Sequence, residues 1–214
     1  MLDIHEEESS LILAAEDCPP DNFSQFHYFP KREQRTLTKL IAHGPLLLRG
    51  SRGSGKSALM IEASRQMAPY NPDGSAFGIY LSLRHLELLR SKEEEYETLF
   101  CKLLISRVQE SLRAMNIPFD PESSASSVQY ALSKLTSTLN QRVVLLFEDA
   151  AHIGREAPLG VFFDIFRTLS SSTVSCKAAI YPGVTKFGTR FDVYNDATVW
   201  NISRNDELPG FAEA

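Results

Sequence analysis

The segment Gly50-Ser51-Arg52-Gly53-Ser54-Gly55-Lys56-Ser57 combines residue types and a spacing that suit a nucleoside triphosphate. Such a ligand needs backbone N–H groups converging on its phosphate oxygens, a cation for its terminal phosphates and a hydroxyl on its Mg²⁺. The glycines let the loop curl with its amides inward, and a helix starting at Lys56 adds its positive N-terminal end. Lys56, exposed at the mouth of the loop, would reach the β- and γ-phosphates, and Ser57 would ligand Mg²⁺. Arg52 faces either solvent or the phosphates. The pattern implies ATP, with GTP as the alternative, over a plain glycine-rich turn capping a helix.

The acidic pair Glu148-Asp149 is the second constellation, at the tip of the apolar run Val143-Val144-Leu145-Leu146-Phe147. Ligands of doubly wound sheets lie at the carboxyl ends of the strands, so this pair and the glycine-rich loop should open onto one crevice. Glu148 would take the metal with Ser57, directly or through water. Asp149, one residue later, would orient and polarise the attacking water. The pair therefore supplies the candidate catalytic residues, against the plainer reading of a solvated strand end. Thr185, Lys186 and Arg190 form a weaker set that would reach the γ-phosphate or act toward a neighbouring subunit, and His152 would orient the second acid or simply sit in a loop.

Positioning these groups requires strands that turn into helices. Residues 45–49 form a short apolar run before the loop, as a buried parallel strand should. Leu59, Ala63 and Met67 recur at four-residue intervals after it, and Pro69 stops that helix. Further strands are expected over 77–83, 143–147, 176–181 and 198–202. Between them lie helices with apolar faces through Tyr96, Phe100, Leu103, Leu104, Val108, Leu112 and Met115, then Val128, Leu132, Leu135 and Leu139, then Leu159, Phe162, Phe163, Phe166 and Leu169. Residues 118–127, rich in Pro and Ser, read as a loop. The alternation predicts an α/β fold with a parallel sheet of about five strands and helices on both faces. Residues 1–30, with aromatics Phe23, Phe26, Tyr28 and Phe29, read as an N-terminal arm packing on a core formed by 31–214.

With 214 residues there is room for one sizeable core. Twenty-two basic and 27 acidic residues give a formal charge of −5, which points to neither nucleic acid nor membrane as an obligate partner. The first residues are acidic where a secretory signal would be basic, and no apolar run is long enough to span a bilayer, so a cytoplasmic location is expected. Cys18, Cys101 and Cys176 lack metal-ligand spacing and read as reduced, partly buried thiols.

With the glycine-rich loop as a Walker A motif, Leu146-Phe147-Glu148-Asp149-Ala150-Ala151-His152 as a Walker B motif and Lys177-Ala178-Ala179-Ile180-Tyr181-Pro182-Gly183-Val184-Thr185 as a sensor strand, the chain resembles the AAA+ P-loop ATPases. More narrowly, it is similar to bacterial ATPases of the origin-recognition initiator type. The resemblance implies an AAA+ core that binds ATP and Mg²⁺, hydrolyses ATP and switches contacts with a protein partner or with itself. The usual acidic order in AAA+ proteins is Asp then Glu; the reversed order here places a shorter Asp149 at the water position and implies slow turnover. The resemblance also implies a helical lid and, for initiators, a DNA-binding winged helix. The dozen residues after the last expected strand are too few for either, so DNA contact is expected only through domains outside this chain. Two other readings stay open: a nucleotide-binding scaffold without turnover and, less favoured, a small-molecule kinase, for which no arginine-dense lid is visible.

Overall fold

Short runs of branched and aliphatic residues build five parallel strands, and each of the first four is followed by a chain reversal that only a crossover can complete. The computed structural model describes residues 28–84, 88, 91–149, 156–183, 187–188 and 190–202. The elements are α1 (Lys31–Ile41), β1 (Leu46–Arg49), α2 (Lys56–Arg65), β2 (Ala76–Ser82), α3 (Glu93–Leu112), α4 (Ala125–Leu139), β3 (Arg142–Glu148), α5 (Glu156–Leu169), β4 (Val174–Ile180) and β5 (Thr198–Asn201). The sheet order is β2-β3-β4-β1-β5, and every pairing is parallel. This is the expected α/β architecture.

Alternating residues of the strands feed two apolar layers. Leu46, Leu48, Val144, Leu146 and Ala179 face α1 and α2, where Leu37, Leu40, Leu59, Met60 and Ala63 cover them. Leu47, Phe77, Leu145, Phe147 and Ala178 face the opposite way, toward Tyr96, Phe100, Leu104, Leu132, Phe162 and Phe166 of α3, α4 and α5. Phe147 meets Phe100, Phe162 and Phe166 with ring centroids 5.4–6.4 Å apart, so the strand that carries the acidic pair is gripped by three aromatic rings. Burial on both faces explains why the strands read as continuous apolar runs rather than alternating ones.

A buried cation ties α1 to the sheet. Lys177 of β4 is 1% exposed, and its Nζ donates to the carbonyls of Lys39, Ala42 and Gly44 at 3.4, 2.7 and 2.5 Å. It thereby satisfies carbonyls at the C-terminal end of α1 and in the turn that follows it. Burial lowers its pKa to about 8.

Some expectations are corrected in detail. The loop over 118–127 ends earlier: Ser124 is the cap of α4, its side chain accepting from the Ser127 N–H, so 125–127 are the first helical turn. Met115 lies beyond α3 in a 3₁₀ turn and is 40% exposed, not part of the buried face. Cys101 and Cys176 are free and fully buried, with burial pushing both thiols up to about 12. Of the arm, Tyr28 is exposed and Phe29 packs partly buried against the α1–α2 layer, while Phe23, Phe26 and Cys18 lie outside the described residues. Among the described residues, no helix is long and apolar enough to cross a membrane.

Candidate functional site

The glycine-rich loop runs from the end of β1 into α2. Its first residue is tied to the sheet, Gly50 N–H donating to the Ile180 carbonyl of β4 at 3.2 Å. Gly55 caps α2 with φ 88°, and Gly53 has φ 76°, a left-handed geometry that glycine adopts without a Cβ penalty. An added Cβ at either would meet nothing within 4 Å, so it is the left-handed backbone and not space that favours glycine there. Lys56, the first residue of α2, was expected at the exposed mouth of the loop. Instead it is buried, 8% exposed, because its Nζ folds back to donate to the Gly50 and Ser51 carbonyls at 2.8 and 2.9 Å. The ammonium also lies 4.2 Å from the Tyr181 ring centroid. Burial lowers its pKa, and the nearby carboxylates of Asp149 and Glu148 oppose that shift.

The sheet order brings the acidic pair to this loop. Glu148 ends β3 and is 2% exposed; its Oε1 accepts from the Ser57 hydroxyl and its Oε2 from the Tyr80 hydroxyl of β2. Asp149, 4% exposed, turns away with φ 56°, a left-handed conformation that Asp tolerates better than most residues. Its carboxylate is ion-paired with Arg84, which follows β2. Pairing continues to the strand tips, Leu83 N–H donating to the Glu148 carbonyl at 3.0 Å, and this sets Arg84 beside Asp149.

Three neighbours of the site were assigned no role from sequence: Tyr80, Arg84 and, within the expected sensor strand, Tyr181. Nothing local marks them, since they become neighbours only when β2 and β4 flank β3. Burial raises the pKa of Tyr181, with the charge of Asp149 acting the same way and those of Arg84 and Arg52 opposing it. Arg52 itself is exposed. His152, Thr185 and Lys186 lie outside the described residues. Arg190 is exposed, and its backbone carbonyl accepts from Arg167 in the last turn of α5 at 2.6 Å.

Beside the loop, on the α1 side, is a cavity of about 460 Å³ lined by Arg32, Arg35, Thr36, Ser54, Leu59 and Trp200 among others. Ser54 Oγ is buried without a hydrogen-bond partner. Trp200 Nε1–H donates to Thr36 Oγ1 at 3.0 Å, which fixes the indole in the cavity wall.

No protein-family model matches the chain, and no curated protein matches it. Solved structures do. A structure of Drosophila ORC bound to DNA superposes with a TM-score of 0.52 at 17% identity, over 83% of this chain and 44% of that one. A structure of Drosophila ORC bound to GC-rich DNA and Cdc6 gives 0.52 at 9% identity, over 79% and 28%. The Aeropyrum pernix ORC1 protein in complex with DNA gives 0.46 at 15% identity, over 88% and 47%. The fold is that of an AAA+ P-loop NTPase core. This chain spans less than half the length of each of those solved chains.

The residues at this loop and strand tip suit a nucleotide with its metal. Gly53 and Gly55 give the loop its left-handed turns, Ser54, whose buried hydroxyl lacks a partner, lines a cavity of about 460 Å³, and a hydroxyl and a carboxylate meet at Ser57 and Glu148. Oxygen donors of this kind match Mg²⁺, which takes few protein ligands and completes its shell with phosphate and water.

Proposed function

We propose that this chain binds ATP with Mg²⁺ through residues 50–57 and hydrolyses it slowly, using nucleotide state to switch contacts with a protein partner or a second subunit. The observation that carries this reading is the contact between Ser57 of the loop and Glu148 of β3, which joins the phosphate loop to the acidic strand tip. In this reading residues 31–214 are the ATPase core and 1–30 an arm. Gly50, Ser51, Arg52, Gly53, Ser54 and Gly55 surround the phosphates, while the cavity beside Ser54 takes the nucleoside.

Lys56 leaves the Gly50 and Ser51 carbonyls for the β- and γ-phosphates, a stronger charge-assisted contact. Ser57 and Glu148 hold the metal, which when bound neutralises charge on the phosphate oxygens. Asp149 accepts the proton of the attacking water once its carboxylate parts from Arg84. Slow turnover agrees with this arrangement, because the candidate base starts out committed to a guanidinium. The ORC structures are bound to DNA; a net charge of −5 on this chain favours a protein as the contact being switched.

Calorimetric titration with ATP in Mg²⁺ and in EDTA, followed by phosphate-release measurements, tests the reading. Tighter ATP binding in Mg²⁺ and measurable phosphate release are expected. Absence of ATP binding would overturn it, and binding without release would leave a nucleotide-bound scaffold as the better description.

A further inference from the structure

The two oxygens of Glu148 are engaged differently. Oε1 accepts from Ser57, on the loop, whereas Oε2 accepts from Tyr80, on the neighbouring strand. Tyr80 stands opposite Leu146 in the β2–β3 register, and Ser82 stands opposite Glu148, so Tyr80 and Glu148 share one face of the sheet at a diagonal. The Tyr80 ring packs against the apolar layer beneath α2. Its carbonyl accepts from Arg107 Nε of α3 at 2.9 Å, so the strand tip is pinned from the other face as well. A glutamate extends one methylene farther than an aspartate, and this extra reach lets one oxygen meet Ser57 while the other meets Tyr80.

Resting on the nucleotide-site reading above, we infer that Tyr80 determines which divalent cation the site accepts. A free carboxylate can give a cation one oxygen or two. Mg²⁺ holds oxygens at about 2.0–2.1 Å in a strict octahedron and takes one, whereas Ca²⁺, at about 2.3–2.6 Å with six to eight ligands, readily takes both. By donating to Oε2, the Tyr80 hydroxyl engages that oxygen while Oε1 stays on the Ser57 side. The donated hydrogen bond competes with a cation for Oε2, so bidentate binding is disfavoured and the larger ion loses part of what it would gain from a free glutamate. Tyr80 acts through Glu148 and touches neither metal nor phosphate.

The test is the ratio of ATP dissociation constants in Ca²⁺ and in Mg²⁺, measured calorimetrically on the whole chain. Tyr80→Phe should lower the Ca²⁺/Mg²⁺ ratio by about tenfold, the lower end of what partners of metal-ligating groups contribute. ATP affinity in EDTA should stay unchanged. In a Glu148→Gln background, where a nitrogen replaces one oxygen, Tyr80→Phe should leave the ratio unmoved. Tyr80→Met also lacks the hydroxyl and gives the same reading should the Phe variant not fold. If Tyr80 merely supported the strand tip, both metals would weaken equally, and an unchanged ratio in the Tyr80→Phe chain would overturn the inference. A wild-type chain whose ATP affinity ignores divalent ions altogether would overturn the nucleotide-site reading with it, whereas a strong Mg²⁺ dependence with an unmoved ratio overturns the role of Tyr80 alone.

Discussion

Arg84 and Asp149 form an ion pair across the tips of β2 and β3, with the carboxylate buried and the guanidinium half-exposed. A carboxylate held by a guanidinium must part from it before it can reach an attacking water. Arg84→Ala should therefore raise basal ATP turnover by about two- to fivefold, because a pair with one exposed partner is worth up to about 1 kcal/mol. ATP affinity should not change. A steady-state phosphate-release assay decides it, and a fall in turnover would mean that Arg84 serves the reaction instead of restraining Asp149.

The two acids should separate by readout. Asp149→Asn keeps a residue that tolerates the left-handed backbone at φ 56°. It should leave ATP·Mg²⁺ binding intact and cut turnover by about 10²–10⁴-fold, the scale of a lost general base. Glu148→Gln should instead weaken the Mg²⁺ dependence of binding, since it alters the carboxylate beside Ser57. Wild-type hydrolysis by Asp149→Asn would refute the assignment of the base.

Lys56→Ala should cost about 1.5–3 kcal/mol of ATP affinity, roughly ten- to a hundredfold, through loss of a charge-assisted phosphate contact. Because Lys56 is buried and donates to two loop carbonyls, the variant should also melt earlier without nucleotide. Titration calorimetry and thermal melting separate the two effects. Undiminished binding would refute the role given to the loop.

Lys177 supplies a pH signature unrelated to the site. Its pKa falls from 10.5 to about 8 in the folded chain, so between those values the unfolded chain holds more protons and stability rises with pH. Above pH 9 the buried thiols act oppositely: Cys101 and Cys176 rise from 9.0 to about 12, the unfolded chain loses protons first, and stability falls. Stability should thus peak near pH 9. Lys177→Met should cost about 2–3 kcal/mol at neutral pH by leaving buried carbonyls without a donor. Urea unfolding across pH 7–10.5 checks this, and a wild-type advantage over the variant that stays flat above pH 8 would contradict the mechanism.

Strands and helices were legible in the sequence because each depends on local patterning: the run from Val143 to Phe147 could only be buried on both faces, and Gly55 before Lys56 could only open a helix at a tight turn. The Ser57 and Glu148 pairing followed from the rule that ligands gather at strand C-termini. Tyr80, Arg84 and Tyr181 escaped because their proximity is a property of sheet order, which places β2 and β4 on either side of β3. The burial of Lys56 was missed for a different reason. Loop carbonyls and an aromatic face offered its ammonium a resting place, and neither the carbonyl directions nor Tyr181 could be read from spacing. The early start of α4 was hidden by serines that signal loops and helix caps alike.

The chain holds a single tryptophan, and that indole, Trp200, stands in the wall of the cavity beside Ser54 with Lys39 Nζ 4.8 Å from its ring. All indole emission therefore originates from one place. A base entering the cavity changes the polarity and the stacking around that ring, so occupancy can be followed optically in the unlabelled chain, with Trp200→Phe as its dark reference. The protein carries its own spectroscopic probe at the position where nucleoside selectivity would be decided.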